Sequence, residues 1–473
     1  MGVAALTAVA TVSGGLAAAP ARADSNPISI SVFGSDTTLG VSGIGKDLTA
    51  GLNVETSTSP TGTATNVTLA IDFSGLAGMA TISTSNPACT TSGTVITCDF
   101  GAVNITDYIA IPSPTVQIHV SPVAGAQVSQ VGQYTLTGSA DGVAPVSIPQ
   151  NVTLADGPDM TGSGYAPYGS PPPVPVALKS KVSTPKLTVT NDGSASAEGV
   201  TIVFNSAYEF PFYGLARNCE YAANHYSYGS LLFASCYFPN VITPGDAYTL
   251  ENTQRFTVRP DTIHDFESIF SADIVPGYQP PTAVDSTLKW VPGTEDPLVL
   301  TKTSGPGTPT TTPVHVTQTN IDPYDGWNNL VYQASNGVST DLAAIGAKVE
   351  APKGSTVNVT VGVHNNGPGT EDFGPALADA ADLQFTPPPG TTVTAVPSNC
   401  FLANNGAYVC SMAQILRYST SAKVTFTLQV SATGATGEGQ VFVYHGSNGG
   451  TPTGPDVYDT VWTNNVAPVR ITS

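Results

Sequence analysis

Short runs in which apolar and polar residues alternate recur along the chain, separated by clusters of Gly, Pro, Asn and Asp. Clear examples are NVTLAIDF (66–73), GVTIVF (199–204) and AKVTFTLQV (422–430). Alternation with a period of two is typical of strands that bury one face. The chain shows no convincing helical stripe, so the pattern predicts an all-β protein. Only DLAAIGAKVEA (341–351) could form a helical turn.

The six cysteines recur within this pattern as three pairs, each close in sequence. The pairs are Cys89 with Cys98, Cys219 with Cys236, and Cys400 with Cys410. A strand pattern precedes each pair and another follows it, so the pairs mark three copies of one unit. None has the C-x-x-C spacing of zinc or redox sites. We therefore predict three disulfides, each within its own unit, formed in an oxidising compartment.

A second motif is shared by two of the copies. In VGVHNNGPGTEDF (361–373) a run of β-formers stops at Asn-Asn-Gly-Pro-Gly, and LTVTNDGSASAEGV (187–200) has a similar form. Asn and Gly tolerate positive φ and Pro fixes φ, so these residues predict a tight turn that ends the strand. The first copy has turn residues in STSPTGTATNV (57–67) but lacks the Asn-Gly core.

The strand patterns and the composition divide the chain into three tandem Ig-like β-sandwich domains, joined by linkers rich in Pro, Gly and Thr and preceded by a signal peptide. The predicted boundaries are signal peptide 1–23, first domain 24–158, linker 159–176, second domain 177–300, linker 301–314 and third domain 315–473. The A-x-A pattern at 21–23 follows an apolar stretch, so the mature chain should begin at Asp24. No later window offers the ~20 apolar residues of a membrane span.

The charge of the chain argues against two classes of partner. Only 10% of the residues are charged, well below the usual ~25%, and 34 acidic against 15 basic residues give a net charge of −19. Proteins that bind nucleic acid or anionic membranes need a basic face to offset phosphate charge. We therefore expect neither partner, and we interpret the dispersed acidic residues as a solvated surface.

The third copy resembles a known bacterial repeat, the domain of unknown function eleven. The resemblance lies in VTVGVHNNGPGTED (359–372), LQFTPPPGTTVTAV (383–396), the following cysteine pair and KVTFTLQVSA (423–432). In the second copy, LTVTNDGSASAEGVTIVF (187–204) and CYFPNVITPGDAYTL (236–250) are similar to it too. The resemblance covers most of the chain after the signal peptide. It implies an Ig-like sandwich, repeated in secreted and surface proteins, without defined catalytic residues.

The sequence contains no motif of a catalytic or metal site. None of the six His lies in a G-x-S-x-G or H-E-x-x-H context. Paired carboxylates of a glycosidase are a spatial feature, and the nearest candidates are Glu209, Glu220, Asp265 and Glu267. DPYDGWNN (322–329) and GPDVYDTVWTNN (454–465) lack the spacing of a calcium loop, so turn capping is the simpler interpretation. We expect no enzyme activity, no cofactor and no metal.

The most distinctive stretch is 204–238, which holds 11 aromatic residues. Some fit strand alternation and should be core, whereas Tyr221, Tyr226 and Tyr228 lie between two cysteines among Asn, His and Gly. Exposed rings stack on sugars or anchor protein partners. These three tyrosines are therefore the candidate binding residues, and the alternative is a loop that packs on itself.

Two functions remain open at this stage. The first is a non-catalytic, secreted bacterial protein that acts as a surface, wall or matrix spacer and adhesion module, with a glycan or a surface protein as its partner. The alternative is a carbohydrate-binding or carbohydrate-active protein centred on the aromatic-rich second domain.

Overall fold

A computed structural model describes residues 28–57, 61–106, 108–110, 113–164, 174–207, 209–226, 229–263, 267–312, 315–322, 327–372, 380–413, 415–445, 459 and 461–472. Within these ranges, the side chains of 224–231, 267–269, 327–329 and 371–372 are not described. The predicted signal peptide lies outside the described residues. The prediction of an all-β chain of three Ig-like sandwiches is confirmed, because the strands form three successive units of packed sheets.

The first unit packs a four-stranded sheet on a six-stranded sheet. Its strands are β1 (Ile28–Phe33), β2 (Thr37–Gly40), β3 (Lys46–Thr56), β4 (Thr61–Asp72), β5 (Ala80–Ser83), β6 (Cys89–Ser92), β7 (Val95–Thr106), β8 (Thr115–Pro122), β9 (Val131–Ala140) and β10 (Val143–Ala155), with a 3-10 turn at Ser74–Leu76. The sheet orders are β1-β3-β8-β5 and β2-β10-β9-β4-β7-β6. Strands β2 and β10 run parallel, which brings the start of the unit beside its end.

The second unit is larger. Its strands are β11 (Met160–Ser163), β12 (Val174–Val176), β13 (Lys181–Ser183), β14 (Thr188–Asn191), β15 (Ala197–Ala207), β16 (Cys219–Tyr226), β17 (Gly229–Ile242), β18 (Ala247–Leu250), β19 (Arg255–Thr257), β20 (Glu267–Pro276), β21 (Val291–Pro292), β22 (Leu300–Ser304), β23 (Thr310–Thr311) and β24 (Trp327–Ala334), with one helix, α1 (Pro281–Val284). The main sheets have the orders β11-β14-β18-β22 and β12-β24-β20-β15-β17-β16-β21. Strand β23 pairs with β17, and β13 with β19.

The third unit repeats the topology of the first strand for strand. Its strands are β25 (Leu342–Ile345), β26 (Ala347–Glu350), β27 (Thr356–Asn365), β28 (Glu371–Asp372), β29 (Ala381–Thr386), β30 (Thr391–Ala395), β31 (Cys400–Leu402), β32 (Tyr408–Ala413), β33 (Ile415–Leu416), β34 (Ser421–Val430), β35 (Gly439–His445) and β36 (Val466–Thr472), with a 3-10 turn at Trp462–Asn464. The sheet orders are β25-β27-β34-β30 and β26-β36-β35-β29-β32-β31, and β28 pairs with β33. The correspondence of the two strand orders supports an origin as copies of one unit.

The segments predicted as linkers differ from the structure. Strand β11 pairs with β14, and β12 with β24, so described parts of 159–176 belong to the second unit. Likewise β22 pairs with β18, and β23 with β17, within the segment 301–314 predicted as a linker. The second unit therefore extends from Met160 to Ala334. Composition alone could not show this, because Thr-rich and Val-rich edge strands share residue types with spacers.

The segment 341–351, which could have formed a helical turn, instead forms two strands. Strand β25 pairs with β27 in one sheet, and β26 pairs with β36 in the other. Gly346 lies at the crossing between the sheets, where a Cβ atom would lie 2.2 Å from the carbonyl oxygen of Pro468. The close approach of the two backbones requires glycine at this point.

All three predicted cysteine pairs are bonded in the structure. In each unit the bond joins directly opposite residues of a hairpin, β6–β7, β16–β17 or β31–β32. The Cα atoms of the pairs lie 3.9–4.0 Å apart. Each hairpin encloses a short loop, for which the chain-entropy model gives a stabilisation of about 3 kcal/mol.

The Asn-Gly turns are built around a buried asparagine amide. In the third unit, Asn365 Nδ2 donates to the carbonyl oxygens of Gly369 (2.6 Å) and Leu416 (2.9 Å), and its Oδ1 accepts from Gly367 N–H (3.0 Å). In the second unit, Asn191 makes the same set of bonds to Ala195, Ile242 and Gly193. Both asparagines are fully buried.

The glycines of these turns have a different role from the one predicted. Positive φ does not occur at Gly193, Gly367 or Gly369, nor at the neighbouring asparagines. A Cβ atom on Gly193 would instead lie 2.3 Å from the carbonyl oxygen of Gly157, and one on Gly367 would lie 2.5 Å from Asp341 N. Glycine is needed there because another segment of backbone packs against the turn.

We expect Asn365→Ala to destabilise the third unit by about 1–3 kcal/mol, because two buried carbonyls lose their donor. Asn366→Ala is the matched control, since the neighbouring side chain is exposed and its loss should change stability little. Urea unfolding of the two variants measures the difference. Equal unfolding free energies for both variants would contradict the role given to the buried amide.

One carboxyl group of the second unit is largely removed from water. Asp273 lies on β20, between β15 and β24, and burial raises the pKa of this group to about 6. Between about pH 4 and pH 6, Asp273 therefore keeps its carboxyl proton in the folded state and has lost it in the unfolded state.

The stability of the middle unit should fall as pH rises from about 4 to about 6, and then level off. Asp273→Asn should remove this dependence and stabilise the unit at pH 7 by about 3 kcal/mol. Melting temperatures measured from pH 4 to pH 8 check the sign, with the exposed Asp296→Asn as control. A wild-type profile that rises over this range would contradict the assignment.

Candidate functional site

Of the three tyrosines predicted to form a binding surface, only Tyr221 has a described side chain. Tyr221 is buried, and its hydroxyl accepts the backbone N–H of Ala216 (2.8 Å) while its ring packs edge-on against Phe212. Burial raises the pKa of its hydroxyl. Tyr221 is thus a core residue and not part of an exposed surface. Tyr226 ends β16 and its side chain is not described, and Tyr228 lies outside the described residues.

The rest of the aromatic stretch also contributes mainly to the core. Phe204, Phe210 and Phe238 are almost fully buried. Phe210 packs edge-on against Phe256 at 5.5 Å between ring centroids, and Phe256 packs against Tyr332 at 4.8 Å. The richness in aromatic residues therefore reflects a larger core, shared by strands that the other two units lack.

A separate cluster of three rings lies nearer the surface of the second unit. Tyr278 stacks on His315, with 4.0 Å between ring centroids and 13° between planes. Tyr237 meets both rings edge-on, at 5.2 Å and 4.9 Å. The tyrosines are half-buried and His315 is exposed. Burial, followed by the nearby Glu198 and Tyr278, raises the pKa of the Tyr237 hydroxyl.

The second unit also has an open groove of about 700 Å³. Its lining residues are Ser183, Glu251, Asn252, Thr253, Arg255, Thr294, Glu295, Asp296 and Leu298. Glu251 pairs with Lys186 (2.6 Å) and Glu295 with Arg255 (3.2 Å). Two of the three carboxylates therefore form an ion pair with a cation. The groove is open to solvent, and its charges are largely balanced.

Two of the four candidate carboxylates for glycosidase chemistry have described side chains: Glu209 is buried and Glu220 is half-buried. Asp265 lies outside the described residues, and the side chain of Glu267 is not described. Over the described ranges no group of three or more His, Cys, Asp and Glu could hold a metal ion. Asp459, in the segment 454–465, caps a turn, as the sequence analysis favoured, and accepts from Val461 N–H and Asn465 Nδ2.

The first junction, between the first and second units, brings two turns into backbone contact. It is formed by 37–46 of the first unit, by 156–159, which connect the two units, and by 192–194 and 322 of the second. Cβ atoms on Gly40 and Gly43 would lie 2.6 Å and 2.3 Å from backbone atoms of Ser194 and Asp192. The Asp-Gly-Ser part of the second unit's turn therefore packs directly on the first unit.

Charged residues are buried at the centre of this junction. Lys46 Nζ lies 2.5 Å from Asp159 Oδ2 and 3.3 Å from Asp322 Oδ2, with side-chain exposures of 3%, 0% and 6%. Asp322 also accepts the N–H of Thr38 (2.9 Å) and the hydroxyl of Thr37 (3.3 Å). Three segments distant in sequence thus meet at one ion cluster.

The second junction, between the second and third units, is formed by 259–263 with 338–340 and 369–370. Its backbones pair directly, since Thr370 N–H donates to Asp261 O (2.7 Å) and Val338 N–H to Thr262 O (2.9 Å). Gly369 packs on Ile263. The turn that contains Asn365 therefore contacts the preceding unit, as its counterpart does at the first junction.

Asp261 connects the two sides of the second junction. Its carboxylate accepts Nε and Nη2 of Arg259 (3.0 and 3.1 Å) and the hydroxyl of Thr370 (2.7 Å). Burial by itself raises the pKa of Asp261, but the bonds from Arg259 and Thr370 outweigh it and hold the pKa below its ordinary value. The carboxylate is therefore ionised at neutral pH, with a donor from each unit.

Sequence reasoning missed the junction residues, although one signal was present. Strand β3 alternates buried and exposed residues, and Lys46 falls on the buried face together with Leu48 and Ala50. A lysine in phase with core residues indicates a buried cation that needs a carboxylate. Its partners Asp159 and Asp322 have no local signal, because they are far away in sequence.

No protein-family model and no curated protein matches the chain. Solved structures match it over long stretches at low identity. A three-Ig structure of titin is 8% identical, covering 94% of this chain and 98% of its own, with a TM-score of 0.16. A protein of Corynebacterium diphtheriae, described as membrane anchored, is 13% identical over 89% and 91%, with a TM-score of 0.15.

A type II cohesin dyad from an adaptor scaffoldin of Acetivibrio cellulolyticus is 11% identical, covering 56% of this chain and 94% of its own, with a TM-score of 0.18. TM-scores this low assign no function to this chain. Among the residues that the structure describes, no helix is long and apolar enough to cross a membrane.

Proposed function

We propose that this chain is a non-catalytic extracellular spacer, in which three Ig-like units are held in fixed succession on a bacterial surface, wall or matrix. The observation that carries the proposal is the construction of the two junctions. The first junction has buried polar contacts and the second has partly buried ones, and in both the backbones approach directly, where a flexible linker would have no such contacts. Junctions of this kind hold each unit at a fixed position relative to its neighbour.

Other features support an extracellular setting and an inert surface. Each unit carries a disulfide, which is typical of proteins in oxidising compartments. The groove on the second unit is open, and its charges are largely paired. A spacer needs solubility and a defined length, and adhesion would require a partner surface, a glycan or a protein, at one of its units.

Loosening one junction should widen the range of shapes that the chain adopts. We expect Asp261→Ala to broaden the small-angle scattering ensemble relative to wild type, because Thr370 and Arg259 lose their shared acceptor. Asp296→Ala is the matched control, since that carboxylate is exposed and far from the junction in sequence. Melting temperatures verify that both variants remain folded. Identical ensembles for wild type and Asp261→Ala would contradict the role of this junction in a rigid spacer.

The ring cluster of Tyr237, Tyr278 and His315 favours a second candidate function, glycan binding by the second unit. Rings that remain partly exposed give a face on which sugars can stack. The three rings also contact one another, so their arrangement does not depend on a bound ligand.

If the second unit binds glycans through this cluster, a glycan array should give signals that Tyr278→Ala loses and Tyr418→Ala keeps. Tyr418 is an exposed tyrosine of the third unit and serves as the control. The melting temperature of Tyr278→Ala distinguishes loss of a site from loss of the fold. Absence of any wild-type signal would reject glycan binding and leave the spacer function unaffected.

A further inference from the structure

The ion cluster at the first junction places an amine against a carboxyl group. Lys46 is the first residue of β3 in the first unit, and Asp159 immediately precedes β11 of the second. Lys46 Nζ is 2.5 Å from Asp159 Oδ2, and the two side chains are 3% and 0% exposed. Of the described ion pairs, the pair of Lys302 and Asp246 comes nearest to it in distance and burial, with exposures of 10% and 0%.

Burial changes the chemistry that this pair can perform. Two opposite charges removed from water lose their hydration, whereas a proton passed from the ammonium to the carboxylate leaves a neutral amine and a neutral acid. The neutral amine is a nucleophile, and the carbon of the acid is an electrophile. Groups held in contact by a fold react as if at effective concentrations of about 10⁵–10⁸ M.

A second carboxylate is placed to move the protons. Asp322 Oδ2 lies 3.3 Å from Lys46 Nζ and is itself held by donors from Thr37 and Thr38. From this position it can accept a proton from the attacking amine and return it to the departing hydroxyl group. Asp159, closer to the amine and fully enclosed, is the better electrophile of the two acids.

We propose that Lys46 and Asp159 form an intramolecular isopeptide bond, assisted by Asp322. The Lys46 Nζ–Asp159 Cγ bond forms as the Cγ–OH bond breaks. One hydrogen of the amine and the hydroxyl group of the acid leave together as water. No oxidation or reduction occurs, so no co-reactant is needed. The product joins the first unit covalently to the entry of the second, and it does not depend on the spacer function.

A second Lys–Asp pair in the chain serves as a comparison for Lys46 and Asp159. Lys302 Nζ also lies 2.5 Å from a buried carboxylate, Asp246 Oδ1. That carboxylate accepts the hydroxyl of Thr243 and the N–H of Gly307 as well. No described ion pair brings a second carboxylate to Lys302. We therefore expect Lys302 and Asp246 to remain an ion pair.

The test is the intact mass of the full chain after denaturation, reduction and alkylation. We expect wild type to be lighter than its sequence requires by one water molecule. Proteolysis should release a branched peptide that joins the segment around Lys46 to the segment around Asp159. Lys46→Arg keeps the positive charge but should show the full mass, whereas Lys302→Arg should still show the loss of water.

Asp322→Asn keeps the size of the assisting side chain and should slow or abolish the loss of water, while circular dichroism verifies that the protein is folded. Because the first measurement is made on wild type, a variant that fails to fold does not affect it. A wild-type chain with full mass and no branched peptide would overturn the proposal and leave an ion pair. A loss of water that maps to Lys302 and Asp246 would overturn it too.

Discussion

The buried side-chain amide of Asn191, with its counterpart Asn365, is the interaction on which the order of the units depends. Buried backbone carbonyls need hydrogen-bond donors, and each amide donates to two of them. Asn365 Oδ1 accepts one N–H, from Gly367, and Asn191 Oδ1 accepts two, from Gly193 and Asp159. The turn is thereby fixed without a strained backbone. Its following residues, Asp192 to Ser194 or Gly369 and Thr370, then meet the preceding unit in one conformation.

The chain has few charged residues, and those at the junctions favour a defined orientation of the units. Buried ion pairs contribute little net stability, because desolvation offsets their attraction, but they tolerate few alternative arrangements. Apolar contacts are not directional, whereas the buried Lys46 contacts both Asp159 and Asp322, and the half-buried Asp261 contacts both Arg259 and Thr370. These polar contacts favour a defined orientation of the units over added stability, as the proposed spacer function requires.

The fold was predictable from local patterns, whereas the junctions were not. Period-two alternation and clustered cysteines predicted the sandwiches, because strands and edge hairpins are short-range features. The linkers and the role of Tyr221 were misjudged for a common reason. Whether a Thr-rich segment pairs, or a tyrosine is covered, depends on strands that are distant in sequence, such as β14 beside β11 or Phe212 beside Tyr221. Only Lys46, in phase with core residues of β3, showed its burial locally.

The position of the Lys46–Asp159 bond matters for tension along the chain. A covalent bond between these residues encloses almost all of the first unit, so force that enters at β1 would pass from Lys46 directly to the second unit. Strands β3 to β10 would then lie outside the covalent path of that force, although β1 still pairs with β3 and β2 with β10. The disulfides cannot serve this purpose, because each closes only one hairpin within a unit. The second junction has an ionic and hydrogen-bonded connection at Asp261 in place of a covalent one, so under tension the chain should yield there first.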